Sequence, residues 1–239
     1  MSSISVIISS YQHGKTIART IEAVLAQTRL ADEILVVDDG STDATREIVA
    51  SFGETVRYLV QPNLGAPSAR NLGFRESVGD LILFCDADVV MKPTMLERLE
   101  AVLKAHSEAS YAYCRFRWGW KSFRCRAFDA DALRKRNFIH TSAALIRREH
   151  FPGFDESIKK FQDWDVWLTM LDQGHDGVFV DEELYVVKQD QGRLNMSSWL
   201  PRFAYKLPWN LVGWTPKRIE RYEQAAKIIR EKHHDHPSV

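Results

Sequence analysis

Four short apolar runs, each followed by an amphipathic segment, constrain this chain more than any other feature. They are ISVIIS (4–9), EILVV (33–37), VRYLV (56–60) and DLILF (80–84). Between and after them, KTIARTIEAVLAQT, DATREIVASF, APSARNLGFRES and TMLERLEAVLKAH carry apolar residues at helical spacing, such as Ile17, Ile21, Val24 and Leu25. Strands that are apolar throughout are covered on both faces. Strand–helix alternation of this kind therefore predicts an α/β fold built on a mainly parallel sheet flanked by helices. Such sheets bind ligands beyond the carboxyl ends of their strands. The polar residues just after each run are the ones to weigh.

Downstream the pattern changes. YAYCRFRWGWKSFRCRAF (111–128) alternates aromatic and basic residues with the period of a strand or hairpin. AALIRR reads as a strand, KFQDWDVWLTMLDQ as a helix, and GVFV and ELYVV as two short strands. From about Ser197 the chain is rich in Trp, Tyr and basic residues and reads as helical, broken at Pro201, Pro208 and Pro216. The expected organisation is one domain over 1–196, with a nucleotide-binding half of about 1–110 and a second half of about 111–196. A C-terminal helical extension follows over 197–239.

With 239 residues and 45% hydrophobic composition, the chain can bury a full core. Its 32 basic and 32 acidic residues cancel, so no global field favours nucleic acid as a partner. Cys85, Cys114 and Cys125 are odd in number and lack metal-ligand spacing, which fits free thiols in a reducing compartment. With no membrane-spanning stretch or signal-peptide pattern read, the expected location is cytoplasmic.

Gly14-Lys15-Thr16 ends a segment that looks like a phosphate-binding P-loop, and LILFCD (81–86) looks like its Walker B strand. The loop also requires glycine five positions before the Gly-Lys pair, where its backbone curls around phosphate. Ser9 stands there, and Tyr11 and His13 would crowd the interior. A turn leading into a surface helix accounts better for the segment.

Acidic residues mark two strand ends. Asp86 and Asp88, two apart in an extended segment, point the same way and can offer two carboxylates to a hard cation such as Mg²⁺ or Mn²⁺. A solvated turn entering the next helix explains the same spacing. After the second run, DDGSTD (38–43) contains a turn dipeptide and helix-capping residues. That leaves one of Asp38 and Asp39 placed to accept a hydrogen bond from a base or ribose. Arg70 could add charge or planar stacking to the same ligand, and alone it reads as an ordinary exposed arginine.

Taken together, SVIISSYQHGKTIARTIEAVLAQT, EILVVDDGSTDATREIV, NLGAPSARNLGF, GDLILFCDADVVMKP and FPGFDESIKKFQDWDVWLTM resemble the family 2 glycosyltransferases in order and spacing, over about residues 4–171. These are inverting enzymes of the GT-A fold that use nucleotide-sugar donors. The resemblance implies that Ser9, Tyr11, Asp38 and Asp39, with Arg70, hold the nucleotide. DAD corresponds to the family's DxD motif, which implies Asp86 on ribose or a metal-bound water and Asp88 on a divalent ion, Mn²⁺ or Mg²⁺, bridging the donor diphosphate.

A carboxylate must also take the proton of the attacking hydroxyl. The family's Glu-Asp pair aligns with Gln162-Asp163, so Asp163 is the expected base and Gln162 a departure that removes a charge. On the helix, Trp164, Trp167, Leu168 and Leu171 form one stripe with Asp163 and Asp165 on opposite flanks, and Asp165 is expected at the surface. Many relatives carry a His after the last strand. Here Asp190 stands near that place, flanked by Lys188 and Arg193, as a loosely aligned third ligand.

The expected partners are a nucleotide-sugar donor, foremost a UDP-sugar, and a glycan or lipid-linked acceptor. The basic-aromatic 111–128 segment would lie toward the acceptor. The Trp-rich C-terminal segment could touch an anionic membrane surface, pack over the site or form a homodimer contact. Competing readings are a catalytically inactive glycan-binding relative, a sugar-phosphate nucleotidyltransferase and, more remotely, a P-loop-like hydrolase.

Overall fold

A computed structural model describes residues 2–123, 125–188 and 216–234. The chain forms two compact units, Met1–Asp190 and Gln191–Val239.

The four apolar runs form β1 (Ile4–Ser10), β2 (Glu33–Asp38), β3 (Arg57–Val60) and β4 (Leu81–Asp86). Between them lie α1 (Ile17–Leu25), α2 (Thr45–Ala50) and α3 (Ala66–Glu76). Then follow β5 (Val89–Met91), α4 (Met95–Ala105), β6 (Tyr111–Trp118), β7 (Lys121–Phe123), α5 (Ala130–Lys135), β8 (Ala144–Arg147), α6 (Gln162–Asp172) and β9 (Gly177–Val187). The second unit contributes α7 (Lys217–His234).

One nine-stranded sheet runs β3-β2-β1-β4-β8-β6-β9-β5, with β7 paired to β6. The first four strands are parallel. Beyond β4 the pairing is mixed: β8 is antiparallel to both β4 and β6, while β6 and β9 run parallel. Ile4, Val6, Ile7, Ile8, Leu35, Val36, Val37, Ile82, Leu83 and Phe84 are fully buried, as continuous apolar strands under two helical layers must be.

Two details differ from the sequence reading. GVFV and ELYVV are parts of one continuous strand, β9, in which Asp181 and Glu182 fall at a register shift in the pairing with β6. The short β5 and α5 were not anticipated, since three and six residues carry too little periodicity. All three cysteines are free and buried. Among the described residues, no helix is long and apolar enough to cross a membrane.

Register brings the key positions to one edge. Ser9 pairs with Asp86, and Ser10 with Asp38, so the carboxyl ends of β1, β2 and β4 lie side by side. Gly73 lets α3 press onto β1, since a Cβ there would collide with Ile7 and crowd Val37. That close approach brings Arg70, one turn earlier on α3, in against the strand ends.

Candidate functional site

The loop after β1 is tied to the loop after β2. Gln12 N–H donates to Ser41 Oγ at 2.8 Å, and Gly14 N–H donates to Asp43 Oδ2 at 2.9 Å. A P-loop would turn such an amide toward phosphate. Here an aspartate of the same chain occupies it, and α1 begins only at Ile17.

Asp38 and Asp39 each hold a loop in place through internal hydrogen bonds. Asp38 Oδ1 accepts from both the amide and the hydroxyl of Ser41, and its Oδ2 accepts from Tyr58 Oη at 2.5 Å. Fully buried, Asp38 builds the turn that Gly40 allows with φ of +80°, with lone-pair capacity remaining on Oδ2. Asp39 Oδ1 accepts from Gln61 Nε2 and the Leu64 amide, and its Oδ2 from the Gly65 amide. It anchors the 61–65 loop against β2, with lone-pair capacity remaining on Oδ2 alone. Ser9 is nearly buried at its strand end, whereas Tyr11 is exposed beyond it.

Arg70 is not the exposed arginine that its position alone suggests. Its side chain is 7% exposed, and Nη2 donates to Asp86 Oδ1 at 2.6 Å. Nη1 reaches Gln162 Oε1 at 3.4 Å, and the guanidinium lies over the Phe154 ring, 5.3 Å from its centroid. The neighbouring Asn71 bonds the same segment. It donates to Phe154 O and accepts from Phe154 N, both at 2.8 Å. The SARN and PGFDE stretches are therefore one physical unit, which holds the start of α6 against the end of β4.

That unit decides where Gln162 and Asp163 sit. Phe161, before α6, has φ of +61°, a left-handed conformation rare for a bulky residue. The half-buried Asp163 follows at the first turn, its Oδ1 accepting from the Trp164 amide at 2.9 Å. Burial pushes its carboxyl pKa above the ordinary value. His140, the Trp164 amide, Arg70 and the Asn137 side chain offset part of that rise. The Gln162 amide still accepts from Arg70, so the contact with that arginine persists without the charge.

Asp165 corrects the sequence reading: it is 2% exposed, not at the surface. α6 is covered on more than its apolar stripe. Trp164 Nε1 donates to Leu133 O and Trp167 Nε1 to Ile139 O, so a flank position also lies inside.

Asp86 and Asp88 are electrostatically opposite. Burial would raise Asp86, but Arg70 and His140, with a bond from Ser142, hold it below the usual carboxylate range. Asp88 has weaker support, from its own backbone amide and the charge of Arg19. Burial first, then the charge of Asp86, push its pKa up to about 7. Among the described residues, no three His, Cys, Asp or Glu side chains gather as a ligand set. Asp190 and Arg193 lie outside the described residues, as do Trp199, Trp209 and Trp214.

The sequence reading passed over His140. Its Nε2 lies 3.7 Å from Asp86 Oδ2, and its Nδ1 accepts from the Ser142 amide at 3.3 Å. Phe116, Tyr185 and Phe123 stack in parallel beside it, with 5.1 Å between Phe116 and His140. Of the basic-aromatic stretch, Arg115 and Arg117 pair with Asp181 and Glu183 of β9, while Trp120 at the hairpin turn is 92% exposed.

Comparison with known proteins accounts for this arrangement. The glycosyl transferase family 2 model matches residues 5–160. An uncharacterized glycosyltransferase of Nostoc sp. is 41% identical over 105 residues, covering 42% of this chain and 33% of that protein. The chain thus spans a third of that relative's length. S. aureus TarS in complex with UDP-GlcNAc superposes with TM-score 0.68 at 19% identity, over 85% of this chain and 64% of that one. The mannosyltransferase PcManGT of Pyrobaculum calidifontis, in complex with GDP-Man and Mn²⁺, gives 0.68 at 18%, over 100% and 76%. The match to the family model covers more than half of the chain, and the fold agrees with it: this chain belongs to glycosyl transferase family 2 and has the GT-A fold.

Proposed function

We propose that this chain is an inverting glycosyltransferase that moves a sugar from a nucleoside-diphosphate donor, foremost a UDP-sugar, to a hydroxyl of a glycan or lipid-linked acceptor. The observation that carries the reading is the joining of the start of α6, which carries Asp163, to the strand-end Asp86 through Arg70, Gln162 and Phe154. The transfer needs both ends. Charge builds on the departing diphosphate at one end, and the acceptor hydroxyl loses its proton at the other.

Ser9, Tyr11 and the remaining acceptor capacity of Asp38 Oδ2 and Asp39 Oδ2 line the nucleotide side, with Asp86 held for ribose or a metal-bound water by Arg70. Asp163 takes the acceptor proton, and its raised pKa makes it a stronger base than an exposed aspartate. The residues present fit a divalent cation: Asp88 resists ionisation because it is buried beside the anionic Asp86, and a cation relieves both costs. Asp88 and Asp86 would hold Mn²⁺ or Mg²⁺, with Asp190 as a further ligand outside the described residues. When bound, the ion neutralises charge on the leaving diphosphate. PcManGT, whose complex contains Mn²⁺, is a precedent for such a site on this fold.

Thermal stabilisation by UDP, GDP, dTDP and ATP, each with and without Mn²⁺, tests the reading on wild type and Asp88→Asn. Mn²⁺-dependent stabilisation by one nucleoside diphosphate, lost in the variant, is expected. A response to ATP alone would return the hydrolase reading, and no response would favour an inactive glycan-binding relative. The same proposal places the protein in the cytoplasm, with the C-terminal segment as its membrane or dimer contact.

A further inference from the structure

The His140 imidazole has one nitrogen committed and the other open. A backbone amide can only donate, so the bond from the Ser142 amide makes Nδ1 an acceptor, and the Tyr185 hydroxyl lies 3.0 Å from the same atom. The neutral ring therefore carries its proton on Nε2. Packing beside Phe116 and Tyr185 fixes the ring plane. The side chain remains 21% exposed.

His140 adjoins both ends of the proposed reaction through its Nε2 and its backbone neighbour. Nε2 is 3.7 Å from Asp86 Oδ2, beyond a good hydrogen bond, and the preceding residue, Ile139, accepts at its carbonyl from Trp167 Nε1 at 2.8 Å, one turn along α6 from Asp163. In an in-line displacement, the anomeric carbon lies between the attacking hydroxyl at the base and the leaving diphosphate. A group that reaches toward both ends therefore flanks the sugar being transferred. Asp86 is already bonded by Arg70 at 2.6 Å, so it does not need His140 to orient it.

We propose that His140 donates its Nε2–H to a hydroxyl of the transferred sugar and so helps set which sugar the site accepts. This rests on the transferase reading given above. The ring is a specificity element: its proton position is fixed from behind by Ser142 and Tyr185, and its donor faces the pyranose. Loss of the donor weakens binding of the intact nucleotide sugar and leaves the nucleoside diphosphate unaffected.

The test is calorimetric titration, in Mn²⁺, of UDP against UDP-GlcNAc and of GDP against GDP-mannose. It uses wild type, His140→Phe, which keeps a ring in the aromatic stack, and His140→Gln, which keeps a donor near Nε2. For the pair that wild type binds, His140→Phe should weaken the nucleotide sugar about 10-fold, the worth of one hydrogen bond, with the diphosphate within about twofold. His140→Gln should recover part of that loss. An equal loss for diphosphate and nucleotide sugar would mean that His140 acts only through Asp86, and would overturn the inference. Unchanged affinities in both variants would overturn it as well. Wild type that binds neither pair and is not stabilised by dTDP would overturn the transferase reading and this inference together.

Discussion

Arg70 Nη2 lies 2.6 Å from Asp86 Oδ1, an ion pair with the arginine almost wholly out of solvent. Around that pair, α3 and the segment before α6 are locked together: Arg70 covers Phe154 and reaches Gln162, and Asn71 bonds the backbone of Phe154. The Asp86 carboxylate and the start of α6 are thereby tied to the same side chain.

Arg70→Met should destabilise the protein by about 3 kcal/mol at neutral pH, because it leaves a largely buried carboxylate without its partner. The sign with pH follows from Asp86. Its folded pKa is lowered below the ordinary carboxylate value, so the pair's stability is present above that ordinary value and is lost as pH falls through the folded pKa. Urea titrations at pH 7 and pH 3 should show the mutational loss shrinking at the lower pH. A loss independent of pH would contradict the assignment.

Asn71→Ala removes three hydrogen bonds, to Phe154 O, Phe154 N and Glu156. It should cost about 2 kcal/mol and lower donor turnover more than donor binding, since it loosens the start of α6. Chemical denaturation and titration with the donor would check both parts. A variant with full stability and full turnover would rule out the clamp.

Asp88→Asn should abolish Mn²⁺-dependent stabilisation by the nucleoside diphosphate. In the metal-free protein Asp88 titrates at about 7, so protons compete with the cation. Mn²⁺ binding to wild type should weaken steadily as pH is lowered from 8 to 6, a range where an ordinary exposed aspartate would show no change. Flat Mn²⁺ affinity over that range would argue against Asp88 as a ligand.

Asp163 carries a second pH signature. Its folded pKa is raised by burial, so the ionised carboxyl costs stability, and the cost sets in as pH rises from the ordinary carboxylate value through the folded pKa. Asp163→Asn should therefore melt no lower than wild type at neutral pH. Wild-type turnover should rise with pH through that same raised value. A variant that melts well below wild type at neutral pH would place Asp163 in a structural role instead.

Much of the fold is visible in the sequence because β1, β2 and β4 are unbroken apolar runs that only a doubly covered sheet can bury. The motifs around Asp86, Asp88 and Asp163 are also legible, since each falls at the end of a strand or the start of a helix. Their mutual relations are not. Spacing marks Asp38 and Asp39 as strand-end acids but cannot reveal that Tyr58, Ser41, Gln61, Leu64 and Gly65 already use all but one acceptor position on each. Asp165 reads as exposed because helical period describes one face, whereas α6 is covered by α5 and the 137–140 segment as well. His140 has no local signature at all: a single histidine in FIHTS gains meaning only when β4, β9 and α6 converge on it.

The central claim is that Asp163 performs the proton transfer on a donor that other residues hold. It is tested most directly by comparing wild type and Asp163→Asn for release of nucleoside diphosphate from the preferred nucleotide sugar, with water as acceptor, alongside donor affinity. The account predicts donor affinity within about twofold and turnover lower by roughly 10³-fold, within the range for loss of a general base. Turnover preserved in the variant, with donor affinity intact, would contradict it.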